Sequence, residues 1–175
     1  MAAGTYRFVV ADVFTDRALA GNQLAVFTDA RELDEGTMQA LAFEIGFSES
    51  VFVLPPEQGG TVRIRIFTPR QELPFAGHPI LGAAWVLAAP LQRDVVELET
   101  GRGIVPVELE RDDSGAISFG RMQQPIPSVE PYADPDPLLR ALGVAGSRLP
   151  VETYDNGPRY AFVVLDSPDD VRVLE

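Results

Sequence analysis

The stretch from Ile80 to Pro90 carries no charge, and none follows until Arg93. Leu81, Ala84, Trp85 and Ala88 fall on one side of it at helical spacing, and small or apolar residues fill most of the rest. A helix that is apolar on most sides is normally surrounded by protein, and this run falls short of a membrane span. Whatever else the chain forms must therefore wrap around this helix. Pro79 suits its first helical position, because a proline lacks the N–H that would have no partner there.

The flanking segments supply strands. Tyr6 to Phe14 is β-rich, and Asn22 to Phe27 reads as a second strand after a turn through Gly21. Ser50 to Leu54 follows, then Thr61 to Phe67, where Val62, Ile64 and Ile66 alternate with Arg63 and Arg65, so that one face is buried. Strand patterns recur at Val95 to Leu98, Ile104 to Glu110 and Ala116 to Arg121. Between the early strands, Met38, Leu41, Ala42 and Ile45 repeat at helical spacing, with Asp34 as N-cap and Gly46 as C-terminal stop. The expected class is α+β, a curved sheet wrapped around a buried helix.

The texture changes near residue 123. Prolines at 125, 127, 131, 135 and 137 mark residues 123–137 as an interdomain linker. This divides the chain into a first lobe, 1–122, and a partial second lobe, 138–175. The latter has a short helix capped by Asp136-Pro137 and a strand from Tyr160 to Leu165. About forty residues is the lower limit for an independent domain, so this part reads as unfinished.

Composition removes several function classes. Net charge is −12, and the 14 Lys and Arg form no basic stripe for nucleic acid. Without cysteine there is no disulfide, thiolate nucleophile or cysteine-ligated zinc. A single histidine leaves any transition-metal site to carboxylates, so no metal is expected. The opening residues lead into a strand-like segment without a signal-peptide core, which makes the cytoplasm the expected compartment. No nucleophile elbow, Walker loop or dinucleotide fingerprint is present.

The candidate chemistry sits in two short segments. Gly77-His78-Pro79 holds the only histidine where a loop enters the apolar helix. Free N–H groups and the positive helix end there suit a carboxylate or phosphate; equally, His78 can be a hydrogen-bonding residue with no part in a reaction. Glu49, between Ser48 and Ser50, stands at the entrance of an apolar strand. A partly desolvated carboxylate there suits proton transfer near neutrality, although a solvated turn glutamate is the plainer reading. Asn22, after Gly21, can present an amide to a substrate or tolerate a left-handed turn. Asp12 reads as a structural hydrogen-bonding residue.

Together these pieces resemble the PhzF-like isomerase family, relatives of diaminopimelate epimerase. The match is carried by Asp12-Val13-Phe14-Thr15-Asp16 with Gly21-Asn22, then Met38 to Glu44 and Phe47-Ser48-Glu49-Ser50-Val51-Phe52-Val53. Phe67-Thr68-Pro69 and Glu72-Leu73-Pro74-Phe75-Ala76-Gly77-His78-Pro79 complete it, with agreement in order and spacing to about Pro90. The resemblance implies two similar lobes, each a curved sheet around a central helix, with the site in the cleft between them. It implies a cofactor-independent isomerase in which Glu49 moves a proton on a small carboxylate. His78 would orient the substrate or assist the proton relay, and Asn22, Ser48 and Gly77 would bind it. Diaminopimelate epimerases use two cysteines, one at the place of Ala76; with no cysteine here, two-thiol racemisation is ruled out.

The match is incomplete. The family's Asp-Pro-x-Thr-Gly-Ser segment is absent from these 175 residues, and Leu19 and Gln23 depart from the Phe and Pro common near the Gly-Asn motif. A split enzyme is the leading expectation, completed by a partner chain or a homo-oligomer. A piece of an ordinary isomerase is the second reading. A non-catalytic small-carboxylate-binding or regulatory protein derived from the same lobe is the alternative from another class. Neither a nucleic-acid nor a membrane partner is expected.

Overall fold

A computed structural model describes residues 5–174. The chain divides into two compact units, Met1–Gln124 and Pro125–Glu175.

The first unit begins with β1 (Val9–Val13), which pairs antiparallel with β2 (Asn22–Phe27). Helix α1 (Glu35–Ile45) follows. Asp34 caps it by accepting from the Thr37 N–H, and Gly46 ends it in the left-handed conformation that glycine adopts without a Cβ penalty. Next come β3 (Glu49–Leu54), β4 (Val62–Phe67) and the two-residue β5 (Glu72–Leu73). Helix α2 (Gly77–Leu91) leads to β6 (Val95–Thr100), β7 (Gly103–Arg111) and β8 (Ile117–Met122). These strands form one mixed sheet in the order β1-β2-β3-β4-β6-β7-β8, with β5 beside β4. The β2–β3 and β4–β6 pairs are parallel; the remaining pairs are antiparallel.

Helix α2 is the axis of this unit and touches β1, β2, β3, β6, β7 and β8. Alternate strand residues point to one face, and that face carries Val13, Leu24, Val26, Val51, Val53, Ile64, Ile66, Val96, Leu98, Val105 and Val107 against Ile80, Ala83, Ala84, Leu87 and Ala88. The other face of β2, β3 and β4 packs Ala25, Phe27, Phe52 and Phe67 against Met38 and Ala42 of α1. Trp85 departs from full enclosure, being half exposed, so α2 turns one flank outward. The helix also begins two residues before the position inferred from Pro79. Ala76 is the extended N-cap, and Pro79 occupies the third helical position, where its missing N–H is still without cost.

Gly82 shows how closely sheet and helix approach. A Cβ there would lie 2.6 Å from Leu24 Cδ2 and 2.8 Å from Val13 Cγ2. Both neighbours are buried and have little room to move.

A second constraint is a buried carboxylate. Glu99, 1% exposed, accepts the backbone N–H groups of Glu57, Gln58 and Gly60 at 2.7, 2.6 and 2.8 Å, fixing the loop between β3 and β4. Burial alone would raise its pKa. The opposing backbone hydrogen bonds and the Arg63 charge bring it below the ordinary value.

In the second unit, β9 (Ser128–Pro131), β10 (Glu152–Asp155) and β11 (Arg159–Phe162) form an antiparallel sheet in the order β11-β10-β9. Helices α3 (Pro135–Ala141) and α4 (Pro168–Arg172) accompany it. The segment 123–137, read as linker, thus contains β9 and the start of α3. Its prolines fit because β9 is an edge strand and Pro135 opens a helix, positions where a missing N–H is tolerated. The strand read at Tyr160 to Leu165 is β11, ending at Phe162.

Two measurements check this packing. Gly82→Ala is expected to destabilise the protein by about 1–3 kcal/mol through overpacking, less up to about 1 kcal/mol of improved helix propensity, in denaturant unfolding. For Glu99, whose folded pKa is depressed, the stabilisation is present above its unfolded pKa and is lost as pH falls through the folded one. Thermal melts should therefore show Glu99→Gln to be less stable at pH 7, with the gap from wild type narrowing below about pH 4.

Candidate active site

The parallel pairing of β2 and β3 places Leu24 opposite Glu49, so Asn22, Ser48 and Glu49 lie at one end of the sheet. Strand alternation puts Asn22 on the face of Leu24 and Val26, and Glu49 on that of Val51 and Val53. This is the face covered by α2. The first turn of α2 brings Gly77 and His78 to the same place. All the sequence-derived candidates therefore converge in the first unit.

The contacts form a chain. Ser48 Oγ donates to Asn22 Oδ1 at 3.3 Å, and Asn22 Nδ2 meets His78 Nδ1 at 3.2 Å. On the other side of the ring, His78 Nε2 stands 3.5 Å from Glu49 Oε2. These two facing atoms are enclosed, and neither has a hydrogen-bond partner. Buried polar atoms are rarely left unpaired, and catalytic contacts often tighten only once substrate is bound. The Glu49 side chain is 17% exposed although Oε2 is enclosed, so part of it remains open to solvent.

Burial disfavours the imidazolium and lowers the His78 pKa. The Glu49 charge and a hydrogen bond with the Gln23 backbone oppose this without overcoming it. His78 is therefore neutral near pH 7. It lies at the second helical position of α2, behind an N-cap, Ala76, that makes no side-chain capping bond. The Gly77 and His78 N–H groups thus head an uncapped helix end, while Pro79 has no N–H to offer. At Gly77 a Cβ would press on the flexible end of Met122, 3.2 Å from its Cε.

The loop before Asn22 differs from the sequence reading. Neither Gly21 nor Asn22 adopts a left-handed conformation; Phe14 (φ 65°) and Leu19 (φ 64°) do. Asp12 supports this loop by accepting the Leu19 N–H at 2.6 Å, the structural role read for it. Phe14 and Leu19 are both largely exposed. No sequence signal marked them, because positive φ at such side chains is a strain set by the surrounding fold.

Among the described residues no cluster of three or more His, Asp or Glu is arranged to hold a metal ion, and no helix is long and apolar enough to cross a membrane.

A family model for phenazine biosynthesis-like proteins, PhzC-PhzF, matches residues 11–175. The trans-2,3-dihydro-3-hydroxyanthranilate isomerase of Pseudomonas aeruginosa is 51% identical over 162 residues, which are 93% of this chain and 58% of that protein. Among solved structures, a predicted epimerase from Pseudomonas aeruginosa is similar with a TM-score of 0.79 at 32% identity, over 97% of this chain and 67% of its own. A PhzF-family phenazine biosynthesis protein from Bacillus anthracis gives 0.78 at 26% identity, over 96% and 58%. The chain spans about three fifths of the length of the curated relatives it matches. Likeness in both sequence and fold over nearly all of its residues leaves one assignment: the chain belongs to the PhzC-PhzF family of phenazine biosynthesis-like proteins.

Proposed function

We propose that this chain is part of a cofactor-independent isomerase that moves a proton on a small carboxylate, with Glu49 as general acid and base. The observation that carries this reading is the enclosed pair of Glu49 Oε2 and His78 Nε2, 3.5 Å apart and without other partners. A protein that only binds a carboxylate has no need of a second carboxylate held against a neutral imidazole at the mouth of the site.

The relatives' name supplies the substrate class, a cyclic, unsaturated amino carboxylate with a hydroxyl group, such as trans-2,3-dihydro-3-hydroxyanthranilate. Glu49 takes a proton from an acidic C–H, leaving the electron pair delocalised into the adjacent unsaturation as a dienolate-like anion. The Gly77 and His78 N–H groups at the head of α2 favour the negative charge of the carboxylate or of that anion. Protonated Glu49 then returns the proton to a different carbon. Atoms and electrons balance without an oxidant or reductant. Asn22 and Ser48 border the same space and touch the polar end of the substrate. The length of the relatives not matched here is supplied by a partner chain, by a second copy or by further polypeptide.

Two measurements test this. Native protein isolated from its own cells, with whatever chains accompany it, should incorporate solvent deuterium into trans-2,3-dihydro-3-hydroxyanthranilate. Glu49→Gln should lower that exchange by about 10²–10⁴-fold, the usual span for a positioned acid–base group; unchanged exchange would exclude Glu49 as the proton carrier. The native mass of the same material should exceed that of one 19.0 kDa chain. A mass equal to one such chain, with full activity, would remove the need for a completing segment.

A further inference from the structure

The short strand β5 is the last piece of sheet before the head of α2. Its two residues give it only two registered pairs with β4, Ile66 with Leu73 and Phe67 with Glu72. Phe67 also pairs with Ser50 of β3, so Glu72 stands in one row with the residue next to Glu49. From Leu73 the chain runs through Pro74, Phe75 and Ala76 into Gly77 and His78. Phe75 is buried and sets how deep this run lies. Apolar burial is non-directional, however, and does not fix where the run lies along the sheet.

The direction comes from Arg65 of β4. Its Nε and Nη2 donate to the two carboxylate oxygens of Glu72 at 2.7 and 2.5 Å, and Nη2 also donates to Glu35 Oε2, in the first turn of α1, at 2.8 Å. A bidentate pair of this kind restricts orientation as well as distance. The guanidinium also lies over the Phe67 ring, 5.1 Å from its centroid. One helical turn beyond Glu35, Gln39 Nε2 donates to the Thr68 carbonyl at 2.9 Å, and the Thr68 hydroxyl accepts the N–H groups of Arg70 and Gln71. Residues i and i+4 of a helix share a face. One polar stripe of α1 therefore grips the β4–β5 hairpin at its base and at its turn.

We propose that Arg65 is a positioning residue: by clamping Glu72, and braced by Glu35, it sets where the head of α2 stands and so holds His78 against Glu49. Its catalytic meaning rests on the proposed role of Glu49, whereas the placement of His78 is a property of the resting protein. In the β3–β4 register Arg65 faces Phe52, three residues beyond Glu49. One side chain thereby ties the strand that carries Glu49 to the segment that carries His78. A purely stabilising role fits the exposures less well. The Glu35 side chain is 73% exposed and that of Glu72 37%, and ion pairs open to solvent contribute little to stability. A displacement at a reacting centre is costly by comparison, about 10²-fold in rate for 1 Å.

Arg65→Gln, Glu72→Gln and the double variant test this, with Glu99→Gln as a reference for lost stability near the other end of β4. Deuterium exchange into trans-2,3-dihydro-3-hydroxyanthranilate is measured on each variant produced in its own cells, with whatever chains accompany it. His78, the only histidine, is titrated by NMR in the untagged chain labelled with ¹⁵N-histidine. Each single variant should lower the exchange rate by about 10–10²-fold. The double variant should be no worse than Arg65→Gln, since both singles break the same contact. The His78 midpoint should fall in each, because the Glu49 charge that raises it stands farther away. Glu99→Gln should melt earlier than wild type yet keep the exchange rate and the midpoint. Should Arg65→Gln fail to fold by circular dichroism, Glu72→Gln, nearly equal in shape to the native residue, carries the test. An unmoved His78 midpoint in the folded variants, or exchange lost only in proportion to thermal stability, would overturn the proposal. Full exchange activity in Glu49→Gln would instead sink the proposed reaction and leave the titration result standing.

Discussion

Everything in the first unit depends on the close fit between α2 and the sheet. The helix has no charged residue, and Gly82, Ala83, Ala84 and Ala88 face the strands, so the sheet can approach its backbone and curve around it. Such burial is the main favourable term in folding. It also fixes the helix along the sheet, with its N-terminus against the first residues of β2 and β3. The meeting of the candidate residues is a by-product of that docking. Glu49 continues the row of Val51 and Val53, and Asn22 that of Leu24 and Val26, each as the first polar member of an otherwise apolar face.

Two carboxylates in this unit show how environment separates roles. Glu99 is more deeply buried than Glu49, yet three backbone N–H groups satisfy it. It has no spare capacity and works as an anchor. Glu49 has an enclosed oxygen with no bonded partner and a side chain still partly open to solvent. An unsatisfied group is costly in a core, and such a cost persists where the rest of the fold holds it in place. Sequence placed Glu49 at the head of a strand and gave no reason to single out Glu99, whose partners come from a loop some forty positions away.

Local signals were read well where the physics is local. Asp34 and Gly46 bound α1 as their capping chemistry requires, and the alternation of Val62, Ile64 and Ile66 marked the inward face of β4. The β1–β2 connection was likewise legible from a turn between two β-rich runs. Pro79 misled by two residues, because proline is tolerated throughout the first turn. The strands β9 and β10 were passed over: Ser128–Pro131 is proline-flanked, and Glu152–Asp155 carries acids at both ends, so pairing rather than pattern makes them strands. The candidate residues were legible as a set, through ordered motifs. Their internal connections were not, since the Asn22–His78 contact spans 56 positions and the Ser48–Asn22 contact depends on the parallel β2–β3 register.

Pro79 has a further effect through the hydrogen it lacks. The first helical positions of α2 are Gly77, His78 and Pro79, with no side-chain cap ahead of them. A helix start usually offers a cluster of N–H donors, enough to surround a tetrahedral oxyanion. Here the proline deletes one of them. Any anion that reached this helix end would meet one donor fewer than at an ordinary helix start, and the missing one is set by a ring closure in the chain rather than by a neighbour.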